Sequence, residues 1–278
     1  MAYRCFDIDV TDRVAHLRLS RPDELNTMTA DFWRELPAIV TGLSDAGSAR
    51  CVVISSTGKH FSAGMDLSVF TGGGLDGPDA EVGRRNARLR SSAKLLQWTF
   101  TALEQARMPV IAAVHGGVIG GAVDLVTACD VRYASADAFF CVQEINIGMT
   151  ADVGTLQRLG KLVPEGFARE MAFTGRRVPA RRAYEMGLVQ EVYTDHESLL
   201  EGVLETAAEI AAHSPLAVWG TKVAMNYARD HTVDDALEQI ATWQAGMFQP
   251  ADMAEAFTAK LEKRQPVFPE LLPEPKGL

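Results

Sequence analysis

In this 278-residue chain the groups that could do chemistry are three carboxylates and two glycine-bearing turns. Asp124 stands in an otherwise apolar stretch, Gly-Ala-Val-Asp-Leu-Val-Thr-Ala-Cys; Glu144 follows 20 residues later, and Asp152 eight residues after that. Individually the acids have plain structural readings, Asp124 as a first-turn acid favoured by the helix dipole and Asp152 as the N-cap of a helix over residues 153–162. Buried beside one another they would behave differently. Loss of solvent and mutual repulsion raise a carboxyl pKa, so a neutral acid can sit next to an ionised base at neutral pH. Such a set shuttles protons.

The two turns supply hydrogen-bond donors. Gly120 and Gly121 come just after a buried strand and just before the helical run 122–128, where the first N–H groups of a helix lack intrahelical partners and the dipole is positive. The segment His60-Phe61-Ser62-Ala63-Gly64-Met65-Asp66-Leu67 turns in the same way after the strand-like residues 51–55. One N–H from each turn, aimed at a common point, would form an oxyanion hole. A third glycine-rich stretch, TGGGLDGP at residues 71–78, lacks the G-K-[ST] that a phosphate loop needs for its lysine and hydroxyl. It reads as a surface flap.

The elements that must position these groups follow from the hydrophobic pattern. Residues 3–19 alternate and carry acidic turn residues near Asp12, which predicts a two-stranded hairpin. Residues 29–43 place Phe32, Leu36, Ile39, Val40 and Leu43 at helical spacing, with Thr29 as N-cap. A long helical stretch covers 80–105, a second buried strand follows Pro109 at 110–115, and residues 138–142 are strand-like. Strand, glycine loop and helix occur twice in succession, which predicts an α/β architecture with sites at strand ends. From residue 198 onward apolar and acidic periodicity predicts helices over 201–212, 216–229, 233–248 and 253–263, then a Pro-containing tail at 266–275. The expected division is a core over 1–197 and a C-terminal helical region over 198–278.

Composition narrows the class. A hydrophobic content of 47% suits a globular chain with a sizeable core. With 27 Lys and Arg against 36 Asp and Glu the net charge is -9, which argues against nucleic-acid partners while leaving room for a local basic patch. Apolar runs stay far short of the ~18 to 20 residues that span a bilayer, so no membrane partner is expected. Cys5, Cys51, Cys129 and Cys141 lie in apolar runs without C-x-x-C spacing and read as reduced core thiols. His16, His60, His115, His196, His213 and His231 show no paired ligand spacing and read as structural, and no metal is expected. The first residues carry neither a signal-peptide core nor an Arg- and Ser-rich transit pattern, so a cytoplasmic chain is expected.

The motifs HFSAGMDL, HGGVIGGAVDLVTACDVRYASADAFF, VQEINIGMTADVGTLQRL and MAFTGRRVPARRAYEMGLVQEVY, with LEKRQPVF at 261–268, resemble the crotonase superfamily of acyl-CoA enzymes, the enoyl-CoA hydratase/isomerase family. The likeness covers about residues 21–193 and that tail segment. Within it, the trio Asp124, Glu144 and Asp152 is similar to that of the Δ3,5-Δ2,4-dienoyl-CoA isomerases, whereas typical hydratases carry Glu in place of Asp124 and Gly in place of Asp152. The resemblance implies a spiral of repeated ββα units with C-terminal helices that trimerise, commonly into a hexamer of two trimers. It places oxyanion donors at the N–H groups of Met65 and Gly121, adenine contacts near Ser62 and Ala63, and Lys263 near the coenzyme A phosphates. The flap at 72–78 would help to form the acyl pocket. No separate cofactor is implied, since coenzyme A enters as part of the thioester. Lys260 departs from an aromatic residue common among relatives, and Glu24 from a basic or small one.

The implied reaction belongs to fatty acid metabolism. A 3,5-dienoyl thioester loses a proton at C2 and regains one at C6, with Glu144 and Asp152 as the exchanging pair and Asp124 between them in charge terms. Three alternatives stand beside it: an enoyl-CoA hydratase, against which Asp152 argues; a catalytically silent acyl-CoA-binding protein; and a metal site built from the three acids.

Overall fold

The computed structural model describes residues 3–66, 68–69 and 81–275, so the flap read at 72–78 lies outside the described residues. In chain order the hairpin β1 (Phe6–Thr11) and β2 (Val14–Leu19) is followed by α1 (Ala30–Ala46), β3 (Cys51–Ser56) and α2 (Val82–Gln105). The middle of the chain holds β4 (Val110–Val114), β5 (Gly117–Ile119), α3 (Gly121–Ala128), β6 (Val131–Ser135), β7 (Phe139–Cys141), a 3-10 turn at Glu144–Ile147, α4 (Thr155–Leu162) and α5 (Glu165–Thr174). Then come β8 (Val178–Pro179), α6 (Ala180–Glu185), β9 (Glu191–Tyr193), α7 (His196–Ala211), α8 (Pro215–Ala228), α9 (Val233–Met247) and α10 (Pro250–Glu262).

Two sheets share these strands. The larger runs β1-β2-β3-β4-β6-β9, parallel beyond the hairpin, and the smaller runs β5-β7-β8. Each turn of the chain gives one strand to the large sheet, one to the small sheet and then a helix: β4, β5, α3, and next β6, β7, α4. This is the expected spiral of ββα units. The turn that starts at β3 does the same in miniature, because Ser62 forms an isolated parallel bridge to Val118 of β5 before α2 begins.

The central strands β3 and β4 are buried along their whole length, which is why they read as unbroken apolar runs rather than as alternation. On one face Val52, Ile54, Val110 and Ala112 pack with Phe32, Leu36, Phe100 and Leu103. On the other Cys51, Val53, Ile111 and Ala113 pack with Leu199, Val203, Ala207 and Ala211, a stripe with the helical period on α7. A capping box starts that helix, with Asp195 accepting from Ser198 N and Ser198 Oγ accepting from Asp195 N. By packing, α7 covers the second face of the sheet although it straddles residue 198, and α8–α10 continue from it. Thr29 stands at the N-cap of α1, yet its hydroxyl makes no capping bond. All four cysteines are buried and free, and burial pushes Cys51 and Cys129 up to about 12. Among the described residues no helix is long and apolar enough to cross a membrane.

The Pro-containing tail is clasped by two buried arginines. Arg50 donates to the carbonyls of Ala211 (3.0 Å) and Phe268 (2.6 Å) and to the Glu270 carboxylate. Arg107 donates to Leu272 O (3.0 Å) and to the carbonyls of Ser44 and Asp45, and pairs with Glu274. Substituting Arg50→Met keeps an apolar stem but strands two carbonyls, while the partly exposed Glu270 side chain is rehydrated. We expect a loss of about 1–3 kcal/mol, read as a lower urea midpoint at unchanged slope; an unchanged midpoint would make the tail a passenger.

Candidate active site

The turn after β3 is held in place by backbone bonds and by the side chains of Asn26 and Ser62. Phe61 N donates to His115 O (2.9 Å), Ser62 N to Gly117 O (3.1 Å) and Ile119 N to Ser62 O (3.1 Å), so the turn lies along β5 like a strand. Behind it, Asn26 is buried at a left-handed φ of 52° and donates Nδ2 to the carbonyls of Thr57 (2.7 Å) and His60 (3.0 Å). Its own carbonyl accepts from Ser62 Oγ (2.8 Å). Ala63 N donates to Leu25 O, Gly64 N to Ser62 Oγ and Asp66 N to Met28 O. From Phe61 to Asp66, therefore, Met65 N–H alone has no acceptor among the described residues.

Gly121 N–H is in the same condition. Gly120 N is bonded to Cys141 O and Val123 N to Gly120 O, but the first N–H of α3 between them has no acceptor among the described residues. The two donors converge: a Cβ placed on Gly64 would lie 3.3 Å from Gly121 N, and one placed on Gly121 would lie 3.9 Å from Met65 N. Gly64 has no substitute here, since its φ is +85° and that Cβ would meet Ile119 O at 2.5 Å. Ser62 is fully buried with its hydroxyl committed to Asn26 and Gly64, so of the expected adenine-contact pair it is the half-buried Ala63 that offers a surface. Lys263 ends α10 at a left-handed φ of 55°, exposed; no hydrogen bond or ion pair among the described residues joins it to this turn.

The three carboxylates form a graded series. Asp124, in the first turn of α3, is 1% exposed, and its Oδ1 accepts from Thr155 N at 2.6 Å. Burial, and next the charge of Glu144, push its pKa up to about 7 against the pull of Thr155 and Arg158. Glu144 begins the 3-10 turn beside Gly120, where a Cβ would lie 3.3 Å from its Oε1, and its Oε2 is buried without a hydrogen-bond partner. Burial raises its pKa, its own N–H lowers it, and the charge of Asp152 raises it further. Asp152 is exposed. Glu144, not Asp124, thus stands between the other two in charge terms, a correction to the expected order.

The expected cap is corrected as well. The residue at the N-cap of α4 is Gly154, not Asp152, and the helix begins at Thr155 rather than at 153. The carboxylate that meets the N-terminus of α4 belongs to Asp124, 31 residues away. Asp152 is held instead by its backbone, through Gln97 Nε2 of α2 donating to its carbonyl at 2.8 Å. Arg158 braces the same turn. It donates to Glu104 Oε2 (2.6 Å) and Thr101 Oγ1 (3.2 Å) of α2, and its guanidinium occupies the space where a Gly154 Cβ would fall.

Thr155, Gln97, Arg158, Glu104 and Asn26 were not legible as site-builders, because each reaches its partner across the fold. The signal in hindsight was Asn26, a turn-former inside RPDELNTM.

Taken together, the site offers two fixed donors for a developing oxyanion and a coupled acid set for proton transfer beside them. Among the described residues no group of three or more His, Cys, Asp or Glu stands where it could hold a metal ion. A large apolar groove of about 910 Å³ lies elsewhere, along α7–α10, lined by Leu216, Trp243, Met247 and Phe248; none of the donors or the three acids borders it.

The burial of Asp124 has a signed consequence for stability. Its carboxyl releases a proton near 4 in the unfolded chain and near 7 in the folded one. Between those values the folded state binds more protons, so this group's contribution to stability falls as pH rises from about 4 through 7. Asp124→Asn keeps an acceptor for Thr155 N–H and cannot ionise. Its melting temperature should match wild type near pH 4 and exceed it at pH 8, by the equivalent of a few kcal/mol. Parallel melting curves across that range would contradict the raised pKa.

Residues 9–271 match the family model described as enoyl-CoA hydratase/isomerase. The chain is 44% identical over 253 residues, 91% of its length and 77% of the other's, to the mitochondrial Delta(3,5)-Delta(2,4)-dienoyl-CoA isomerase of Homo sapiens. It is 40% identical over 259 residues, 93% of each chain, to the peroxisomal enzyme of that name from Arabidopsis thaliana. Among solved structures, the enoyl-CoA hydratase of Bacillus anthracis superposes with a TM-score of 0.84 at 29% identity, covering 95% of this chain and 99% of that one. The mitochondrial and peroxisomal names of these relatives overturn the cytoplasmic expectation: the pattern of the first residues does not locate the chain. With the family model spanning nearly its whole length, the chain belongs to the enoyl-CoA hydratase/isomerase family.

Proposed function

We propose that this enzyme converts 3,5-dienoyl-CoA thioesters into their 2,4-dienoyl isomers. The observation that carries the reading is the convergence of two acceptorless N–H groups, Met65 and Gly121, beside three carboxyls whose charges act on one another. The dienoyl-CoA isomerase names of relatives 40–44% identical support it.

The thioester carbonyl oxygen sits between the Met65 and Gly121 N–H groups. As a base removes a proton from C2, negative charge passes to that oxygen and along the conjugated chain, and a neutral carboxyl then delivers a proton at C6. No atoms are gained or lost. Burial and the charge of Asp152 raise the pKa of Glu144, which suits it to the part of the acid. Asp152, in contact with water, is the base. Asp124, pushed up to about 7 by burial and by the charge of Glu144, is the buried third member of the set. Each oxyanion donor is worth about 10²- to 10³-fold in rate and each positioned acid or base about 10²- to 10⁴-fold. Hydratase chemistry would need a water held between two carboxylates, and the Asp152 carboxylate competes for that space. Ala63 and Lys263 would meet the nucleotide end of coenzyme A, and the reaction needs no cofactor beyond the one its substrate carries.

The assembly that fits is a trimer or its double. Exposed Met225, Val233, Leu237, Phe248, Met253 and Phe257 gather on α8–α10, too much apolar surface to leave in water. Light scattering at micromolar concentration should give a trimer or hexamer, and a fully active monomer would refute this.

Asp152 is the residue that separates isomerase from hydratase. As it caps no helix, Asp152→Asn should leave the melting temperature near wild type while slowing 3,5-dienoyl conversion about 10²-fold or more, followed by the ultraviolet absorbance of the conjugated product. A panel of 2-enoyl, 3-enoyl and 3,5-dienoyl thioesters supplies the comparison. Wild-type turnover by the variant, or faster hydration of 2-enoyl substrates by the native enzyme, would overturn the assignment.

A further inference from the structure

The turn that carries Met65 and the strand that leads to Gly121 are stitched together by two histidines, each bonded to the other segment's backbone. His115, just after β4, is buried and donates from Nε2 to Gly58 O at 2.8 Å. His60, in the turn after β3, accepts at Nδ1 from the N–H of Gly117, the first residue of β5, at 2.9 Å. An imidazole nitrogen that accepts a backbone N–H carries no proton of its own, so His60 stands here as the neutral ring protonated at Nε2. His115 can donate whether neutral or charged. Of the two stitches, only the one at His60 breaks on protonation.

We propose that His60 is a positioning residue for the oxyanion hole: its unprotonated Nδ1 holds Gly117, and through β5 the Gly121 N–H, at the spacing from Met65 N–H that the thioester oxygen requires. The bonds of Ser62 with Gly117 and Ile119 set the register of the turn against β5, and at the entrance to the strand the Gly117 N–H is taken by His60. The contact leaves little slack. Gly116 takes a left-handed φ of 56°, and a Cβ there would lie against Lys59 O and 3.0 Å from His60 Nδ1; one on Gly117 would lie 3.2 Å from the same nitrogen. The imidazole packs edge-on to Phe139 of β7, with ring centres 5.9 Å apart, and Phe139 carries the Arg177 guanidinium 4.5 Å from its own centre.

The groups facing His60 favour its neutral form. Burial lowers its pKa from the ordinary imidazole value, and Lys59 of its own turn, Arg177 ahead of β8 and His115 after β4 lower it further, while Asp137 between β6 and β7 opposes them. Acid therefore reaches the site by two routes, through the carboxylates that exchange protons and through the backbone that aims the donors. The inference rests on the oxyanion hole of the proposed function, but not on which thioester reaction that hole serves.

The test compares His60→Asn, whose Oδ1 stands where Nδ1 stood and takes up no proton, with His60→Leu, which has no acceptor. At pH 8 the Leu variant should lose about 10-fold or more in kcat with KM little changed, because a small misplacement of positioned groups is costly in rate, and the Asn variant should recover most of that loss. As pH falls below 6.5 the ratio of Asn-variant to wild-type kcat should climb, since only wild type loses the bond. A second readout needs no substrate. A base whose pKa is lower in the folded chain than in the unfolded one costs stability as pH falls through that interval, so the melting temperature of the Asn variant should gain on wild type below pH 6.5. A kcat ratio flat in pH, a melting difference flat in pH, or a Leu defect that Asn fails to rescue would overturn the proposal. If the native enzyme hydrates 2-enoyl thioesters instead of isomerising dienoyl ones, the isomerase reading falls, and the same comparison run on hydration decides for or against His60.

Discussion

Everything at this site depends on fixing two backbone N–H groups that belong to different turns of the spiral. A side-chain donor can be re-aimed by a rotamer, but a backbone donor points only where its chain goes. The parallel bridge between Ser62 and Val118 therefore does the deciding work, because it lays the turn that carries Met65 along the strand that leads into Gly121. Asn26 holds that turn from behind with two amide bonds and a carbonyl, and Gly64 allows the closest approach. From Phe61 to Asp66 every other N–H has an acceptor among the described residues, which leaves Met65 N–H for a ligand.

The acids obey a different physical rule. Burial raises a carboxyl pKa, but only for the acids it reaches. What separates them is depth. Asp124 is buried, Glu144 half-buried and Asp152 exposed. A gradient of solvation along three like groups creates an acid and a base from the same chemistry. Thr155 and Arg158 act against that gradient at its buried end, where both lower the pKa of Asp124.

The supporting frame is unusually shared. α2 holds the Asp152 bend through Gln97 and Glu104, packs Phe100 into the core, and carries the hydroxyl of Thr101 on Arg158. α7 closes the opposite face of the sheet with Leu199, Val203, Ala207 and Ala211. The tail is tied back by Arg50 and Arg107, whose bonds to main-chain carbonyls leave it little freedom. Arginines bonded to carbonyls and carboxylates thus brace the bend that carries Asp152 and the tail separately.

Much was legible in the residue pattern alone. The hairpin, α1, the buried strands and the helices of the C-terminal region follow from periodicity, since burial on one or two faces leaves a local record. The two glycine-bearing turns and the three acids stood out because their types are unusual at their positions, and the family resemblance joined them into a reaction. Other features could not be read in that way. Asp152 has the look of a helix cap because Asp commonly is one, but the helix starts three residues later and takes its carboxylate from Asp124. The charge order of the acids, the orphaned hydroxyl of Thr155 and the bracing of Gly154 by Arg158 all arise from contacts between distant segments. Local sequence determined which elements form and which groups could react; only tertiary packing decided their solvation and their partners, because desolvation and hydrogen bonding across the fold depend on what lies opposite rather than on what lies next in the chain.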